Sequence, residues 1–117
     1  MKLLTKEIEA KLSKNSDKPT DKPYLKLFNP LGPATWLLTT YDKKTGLFYG
    51  LCDLGMGFPE LGYVSLKELE KQEVGLGLGI ERDINWEPEL TIREYTDMAT
   101  KTRSILDCLY PSAVANK

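Results

Sequence analysis

The chain has 117 residues, 41% of them hydrophobic and 28% charged, and a net charge of −1. That length points to one domain able to bury a core; the composition excludes a disordered chain, and no apolar run approaches the roughly 20 residues of a membrane helix. Histidine is absent, which excludes triads built on an imidazole base, His-containing zinc sites and the common pH switch.

In chain order, Thr5 is an N-cap for a helix over Lys6 to Leu12, with Leu4, Ile8 and Leu12 on one face, directed at a sheet. Met1 to Leu12 alternates charge with Leu and Ile and offers no signal-peptide core, so the expected location is the cytoplasm, with no membrane involved. Asn15 to Lys22 has the composition of a mobile loop. Tyr24 to Phe28 forms a first strand led in by Pro23, and Asn29 to Pro33 a rigid turn. Trp36 to Tyr41 and Leu47 to Leu54 are the next strands, joined through the hairpin loop Asp42 to Gly46. Gly55 to Glu60 turns the chain into a strand through Leu61, Tyr63 and Val64.

Ser65 and Glu68 have the spacing of a capping box, so a helix of two to three turns starts at Ser65, with Gly75 as its stop. Gly75, Gly77 and Gly79 alternate with Leu76, Leu78 and Ile80, and a strand resumes over Ile80 to Trp86. Beyond Glu87-Pro88-Glu89, the periodic apolar positions from Ile92 to Leu109 predict one amphipathic helix over Thr91 to Tyr110, ended by Pro111. Its stripe must be covered, by the chain's own sheet or by a second copy in a homodimer. The expected fold is α+β: a single mainly antiparallel sheet of four to five strands with a short N-terminal helix, a short middle helix and a longer C-terminal helix.

Neither glycine-rich segment opens a helix, so neither suits a phosphate loop, and no cofactor motif is present. Cys52 and Cys108 lack CxxC spacing and read as free, reduced thiols. Charge is uneven. Residues 1–44 hold nine Lys/Arg against five Asp/Glu, and residues 45–117 seven against twelve.

The blocks LLTKEIEAKL, TWLLTTYD, LFYGLCDL, ELGYVSLKELE and above all GLGLGIERDINW resemble the family known as domain of unknown function twenty-nine fifty-eight, from about Leu4 to Trp86. The resemblance implies a bacterial mobile-element setting, on plasmids, phages and integrated elements, where small proteins often counter host defence or assist transfer. It supplies no activity or catalytic residues, and the helix from Thr91 looks like an addition to the family unit.

Several residue sets compete as sites. Glu81, Asp83, Glu87, Glu89, Glu94 and Asp97 form an acidic stretch that could occupy a basic nucleic-acid channel of a partner protein; the plainer alternative is a solvated face. Asp53, Glu60, Glu81 and Asp83 offer oxygen ligands for Mg²⁺ in a metal-dependent enzyme acting on nucleic acid or phosphoesters; against it stands a cross-strand ion-pair ladder with Arg82 on the opposite face. Trp36, Tyr41, Phe48, Tyr49, Tyr63 and Trp86 could stack bases, but only Lys43 and Lys44 lie near enough to serve the phosphates. Ser65 as a nucleophile lacks a base. The leading expectation is a non-enzymatic module that binds a bacterial protein partner, plausibly in a nucleic-acid-handling defence complex, without contacting nucleic acid directly.

Overall fold

Thr5 begins the folded chain as its sequence requires: its Oγ1 accepts the Ile8 amide, and α1 runs over Lys6–Ser13. The computed structural model describes residues 1–109. Strands β1 (Leu25–Phe28), β2 (Thr35–Asp42), β3 (Leu47–Asp53) and β4 (Glu60–Ser65) follow, then α2 (Leu66–Lys71), β5 (Glu73–Gly75), β6 (Leu78–Gly79), β7 (Glu81–Arg82) and α3 (Ile92–Thr102). A short 3-10 helix covers Leu106–Cys108. The main sheet has the order β4-β3-β2-β1-β7 with every pairing antiparallel, and β5 and β6 form a separate two-stranded ribbon. The fold is α+β, as the element order implied. No helix among the described residues is long and apolar enough to cross a membrane.

Alternation along the strands divides the core in two. Leu25, Leu27, Trp36, Leu38 and Phe48 pack with Leu3, Leu4 and Leu12 of the N-terminal segment and Leu69 of α2. Leu37 and Leu51, from the same strands, pack on the other side with Ile92, Tyr95 and Ala99 of α3 and with Ile105, Cys108 and Leu109. The sheet is therefore covered on both faces, and the α3 stripe is buried within its own chain. Asp53 clamps the last segment to the sheet end. It is 2% exposed, its Oδ2 accepts the Ile105 amide at 2.9 Å and its Oδ1 the Gly55 amide at 2.8 Å.

Five details differ from the sequence-based expectations. The strand over Ile80 to Trp86 shrinks to Glu81–Arg82, because Asp83 Oδ1 accepts the Asn85 amide and the Asp83 carbonyl accepts the Trp86 amide, which curls the chain away from the sheet. The C-terminal helix stops at Thr102, where Arg103 takes a left-handed conformation (φ 62°) that lets Ile105 reach Asp53; the expected end at Tyr110 and Pro111 lies outside the described residues. Helix α2 ends at Lys71, before Gly75, since Gln72 is already extended to start the ribbon. That ribbon is a second sheet where one was expected. The Asn15 to Lys22 segment has no regular structure but is tied down: Asn15 Nδ2 donates to the Lys22 and Thr39 carbonyls, and Asp21 Oδ2 accepts the Ser16 and Lys18 amides.

Cys52, half-buried on β3, and Cys108, buried beneath α3, form no disulfide with each other. Burial pushes the Cys52 thiol up to about 11, so it stays protonated where an unfolded thiol ionises, and its contribution to stability is lost as pH rises from about 9 toward 11. A thiol reagent at neutral pH is therefore expected to react slowly with the native protein and to count two thiols after denaturation without reductant. A count of zero would mean a disulfide and overturn the assignment.

Candidate functional site

The antiparallel order brings the β1–β2 turn and the β3–β4 loop to one end of the sheet, and the separate β5–β6 hairpin meets the first of them, Gly75 lying against Leu31. The β1–β2 turn lies against each of the other two. A Cβ at Gly55 would collide with the Pro33 ring, and one at Gly75 would lie 3.4 Å from Leu31 Cδ1. Loops of this kind ordinarily carry polar side chains. These instead expose Leu31, Leu54, Met56, Phe58 and Leu76, with Met56 and Phe58 each 73% exposed and Leu76 90% exposed. Large apolar side chains exposed on loops that meet at one end of a sheet form a candidate interaction surface, whereas single exposed apolar residues are unremarkable.

Leu76 carries the strongest signal. With Gly77 it forms the two-residue turn of the β5–β6 hairpin, and both have positive φ (53° and 75°), as a type I′ turn requires. Glycine and asparagine suit the first of these positions; leucine there costs about 1–2 kcal/mol because its Cβ crowds the following carbonyl. The strain supports no packing, since the side chain projects into solvent. Backbone strain of this sort concentrates where a side chain is used.

The sites expected from the sequence are distributed differently. Asp83 is paired with Lys26 at 3.0 Å, and the Lys26 ammonium also lies 5.6 Å from the Phe28 ring centroid and 5.7 Å from that of Trp86. Arg82, opposite Leu27 on the other face, donates to the Lys2 carbonyl at 2.6 Å. Hydrogen bonds from Thr91 hold the Glu94 carboxyl below the usual carboxylate range as it closes the α3 capping box. Asp97 lies 3.9 Å from Arg93, an exposed pair worth little. Asp83, Glu94 and Asp97 thus have partners within the chain; Glu81 is half-buried, and Glu87 and Glu89 are exposed. The four oxygen-ligand candidates are not assembled: Glu60 lies on edge strand β4, Glu81 and Asp83 at the opposite edge, and Asp53 is turned into its two amide bonds. Among the described residues no group of three or more potential ligands is placed to hold a metal ion.

The aromatic candidates divide between faces. Trp36, Tyr41 and Phe48 belong to the core under α1, whereas Tyr49 and Tyr63 pair at 5.0 Å on the opposite face and Trp86 packs on Tyr95. Trp86 is further fixed by donating from Nε1 to the Pro23 carbonyl. Ser65 Oγ accepts the Glu68 amide at 3.3 Å and so serves as a cap. The apolar tip escaped the sequence reading because NPLGP, GMGFP and GLGLG are separate turns along the chain. Their shared signal was large apolar residues among glycines and prolines, where solvated loops should be polar.

A family model described as "Protein of unknown function (DUF2958)" matches residues 3–106, continuing past Trp86 and through α3. No curated protein and no solved structure matches the chain.

Proposed function

We propose, for a chain that belongs to the DUF2958 family, a role as a non-enzymatic protein-binding module that docks through its apolar tip. The observation that carries this reading is Leu76, held strained and solvent-exposed on the turn next to Gly75, which itself lies against Leu31, while Met56 and Phe58 are exposed on the β3–β4 loop. The sheet and its two covered faces supply a rigid mount, and the tip supplies aromatic and aliphatic anchors of the kind that dominate binding energy when they enter a partner's pocket. The finer reading, a partner in a bacterial nucleic-acid-handling defence complex, rests on the mobile-element setting that the family resemblance implies.

The test is affinity capture from a bacterial host lysate, followed by binding measurements with the captured protein. Phe58→Asp is expected to weaken binding by at least about 2 kcal/mol, roughly 30-fold. Leu76→Asn is expected to weaken binding while raising folding stability by about 1 kcal/mol, since asparagine tolerates the left-handed turn. Glu87→Gln with Glu89→Gln should leave binding intact. If the tip variants bind as the native chain does and the glutamate variant does not, the docking surface is the acidic stretch and the apolar tip is wrong.

A further inference from the structure

The two edges of the main sheet are unlike. Strand β7 has two residues, too short to recruit another strand, whereas β4 has six in unbroken register with β3. Natural edges of that length are usually blunted by lysine, proline or a bulge. From Leu61 to Ser65, β4 has none of these, and among the described residues no further strand pairs with it.

The hydrogen-bond phase of this edge follows from one bond. The Leu66 amide donates to the Gly46 carbonyl at 3.0 Å, continuing the β3–β4 register and making Gly46 and Leu66 a hydrogen-bonded pair. Alternation then assigns Val64, Gly62 and Glu60 to bonds with β3, leaving the N–H and C=O of Ser65, and of Leu61 and Tyr63, pointing outward. Between them sits Gly62, which the chain's own fold does not require. Its φ is outside the left-handed region, and a Cβ there would meet nothing within 4 Å. A glycine inside a strand weakens it and often marks the close approach of another backbone.

We infer that β4 is a self-pairing edge, whose occupant is β4 of a second copy of this chain, antiparallel about a two-fold axis through Gly62. Leu61 of each copy then faces Tyr63 of the other as a hydrogen-bonded pair, and the outward N–H and C=O of these two residues are satisfied reciprocally. The two Gly62 residues form the central non-hydrogen-bonded pair, in which Cα atoms approach to about 4.5 Å and side chains crowd most. Leu61 and Tyr63, 43% and 67% exposed in the single chain, become cross-strand partners. Glu60 falls opposite Val64, so no like charges meet. The pairing is isologous and closed, giving a dimer with one continuous sheet. It rests on the backbone groups of β4 and not on the loop side chains, and so is independent of the docking role proposed above.

Size-exclusion chromatography with light scattering on the full chain should give twice the 13.2 kDa chain mass at high concentration, with dissociation on dilution. Leu61→Lys, a substitution at an exposed position, should remain folded by circular dichroism and be monomeric. Gly62→Cys should form an interchain disulfide on mild oxidation, because the facing Cα atoms fall within disulfide range, while Val64→Cys, out of register with its own copy, should not. A native chain that is monomeric throughout the concentration series overturns the inference. So does a dimer whose Gly62→Cys form fails to cross-link, which decides the matter even if Leu61→Lys does not fold.

Discussion

Asp83→Ala is expected to cost about 3 kcal/mol of folding stability, measured by urea denaturation, because it strips the carboxylate from a lysine that has little access to water. The Lys26 and Asp83 side chains are only 10% and 20% exposed and lie 3.0 Å apart. Replacing both, as Lys26→Met with Asp83→Leu, should return stability to within about 1 kcal/mol of the native chain, since desolvating the pair offsets most of its Coulombic gain. A double variant as unstable as the single one would assign the loss to packing around Phe28 and Trp86. The edge strand is where the effect should appear: β7 has only two residues, and the Asp83 amide adds a bond to the Lys26 carbonyl just beyond them.

Removing residues 90–117 is expected to abolish folding. The truncation takes away Ile92, Tyr95 and Ala99 together with Ile105, Cys108 and Leu109, the cover over Leu37 and Leu51. Tyr95 is fully buried, and its hydroxyl accepts the Glu89 amide at 3.1 Å. Tyr95→Ala alone should cost about 3–5 kcal/mol, the range for large aromatic truncations in a core. Loss of the whole segment would then exceed the 5–15 kcal/mol that stabilises a typical domain. A soluble, cooperatively melting remainder would show that the Leu37 and Leu51 face needs no cover and would reassign α3 to a partner. The family match through residue 106 accords with α3 as an integral layer.

The local chemistry of individual residues was legible along the chain. Thr5 and Ser65 cap the helices that follow them; period-two patterning located β1 to β4, and the apolar spacing of Ile92, Tyr95 and Ala99 marked the buried stripe of α3. Lengths failed where a nonlocal partner set them. Asp83 turned a seven-residue strand pattern into two paired residues, and the distant carboxylate of Asp53 ended a helix whose periodicity ran on to Leu109. The carboxylates grouped by sequence proximity were likewise divided by the contacts of Lys26 and Thr91.

The sequence by itself determined the fold class, the helix starts, the reduced state expected of two unspaced cysteines and the absence of imidazole chemistry, because each depends on residue type and spacing within a few positions. Tertiary structure decided where loops far apart in sequence converge, which carboxylates are engaged and which strands form the edges. Those properties depend on antiparallel strand order, which brings Leu31 and Phe58 to one end of the sheet and leaves Gly62 on an edge, and no local pattern of side chains encodes that order.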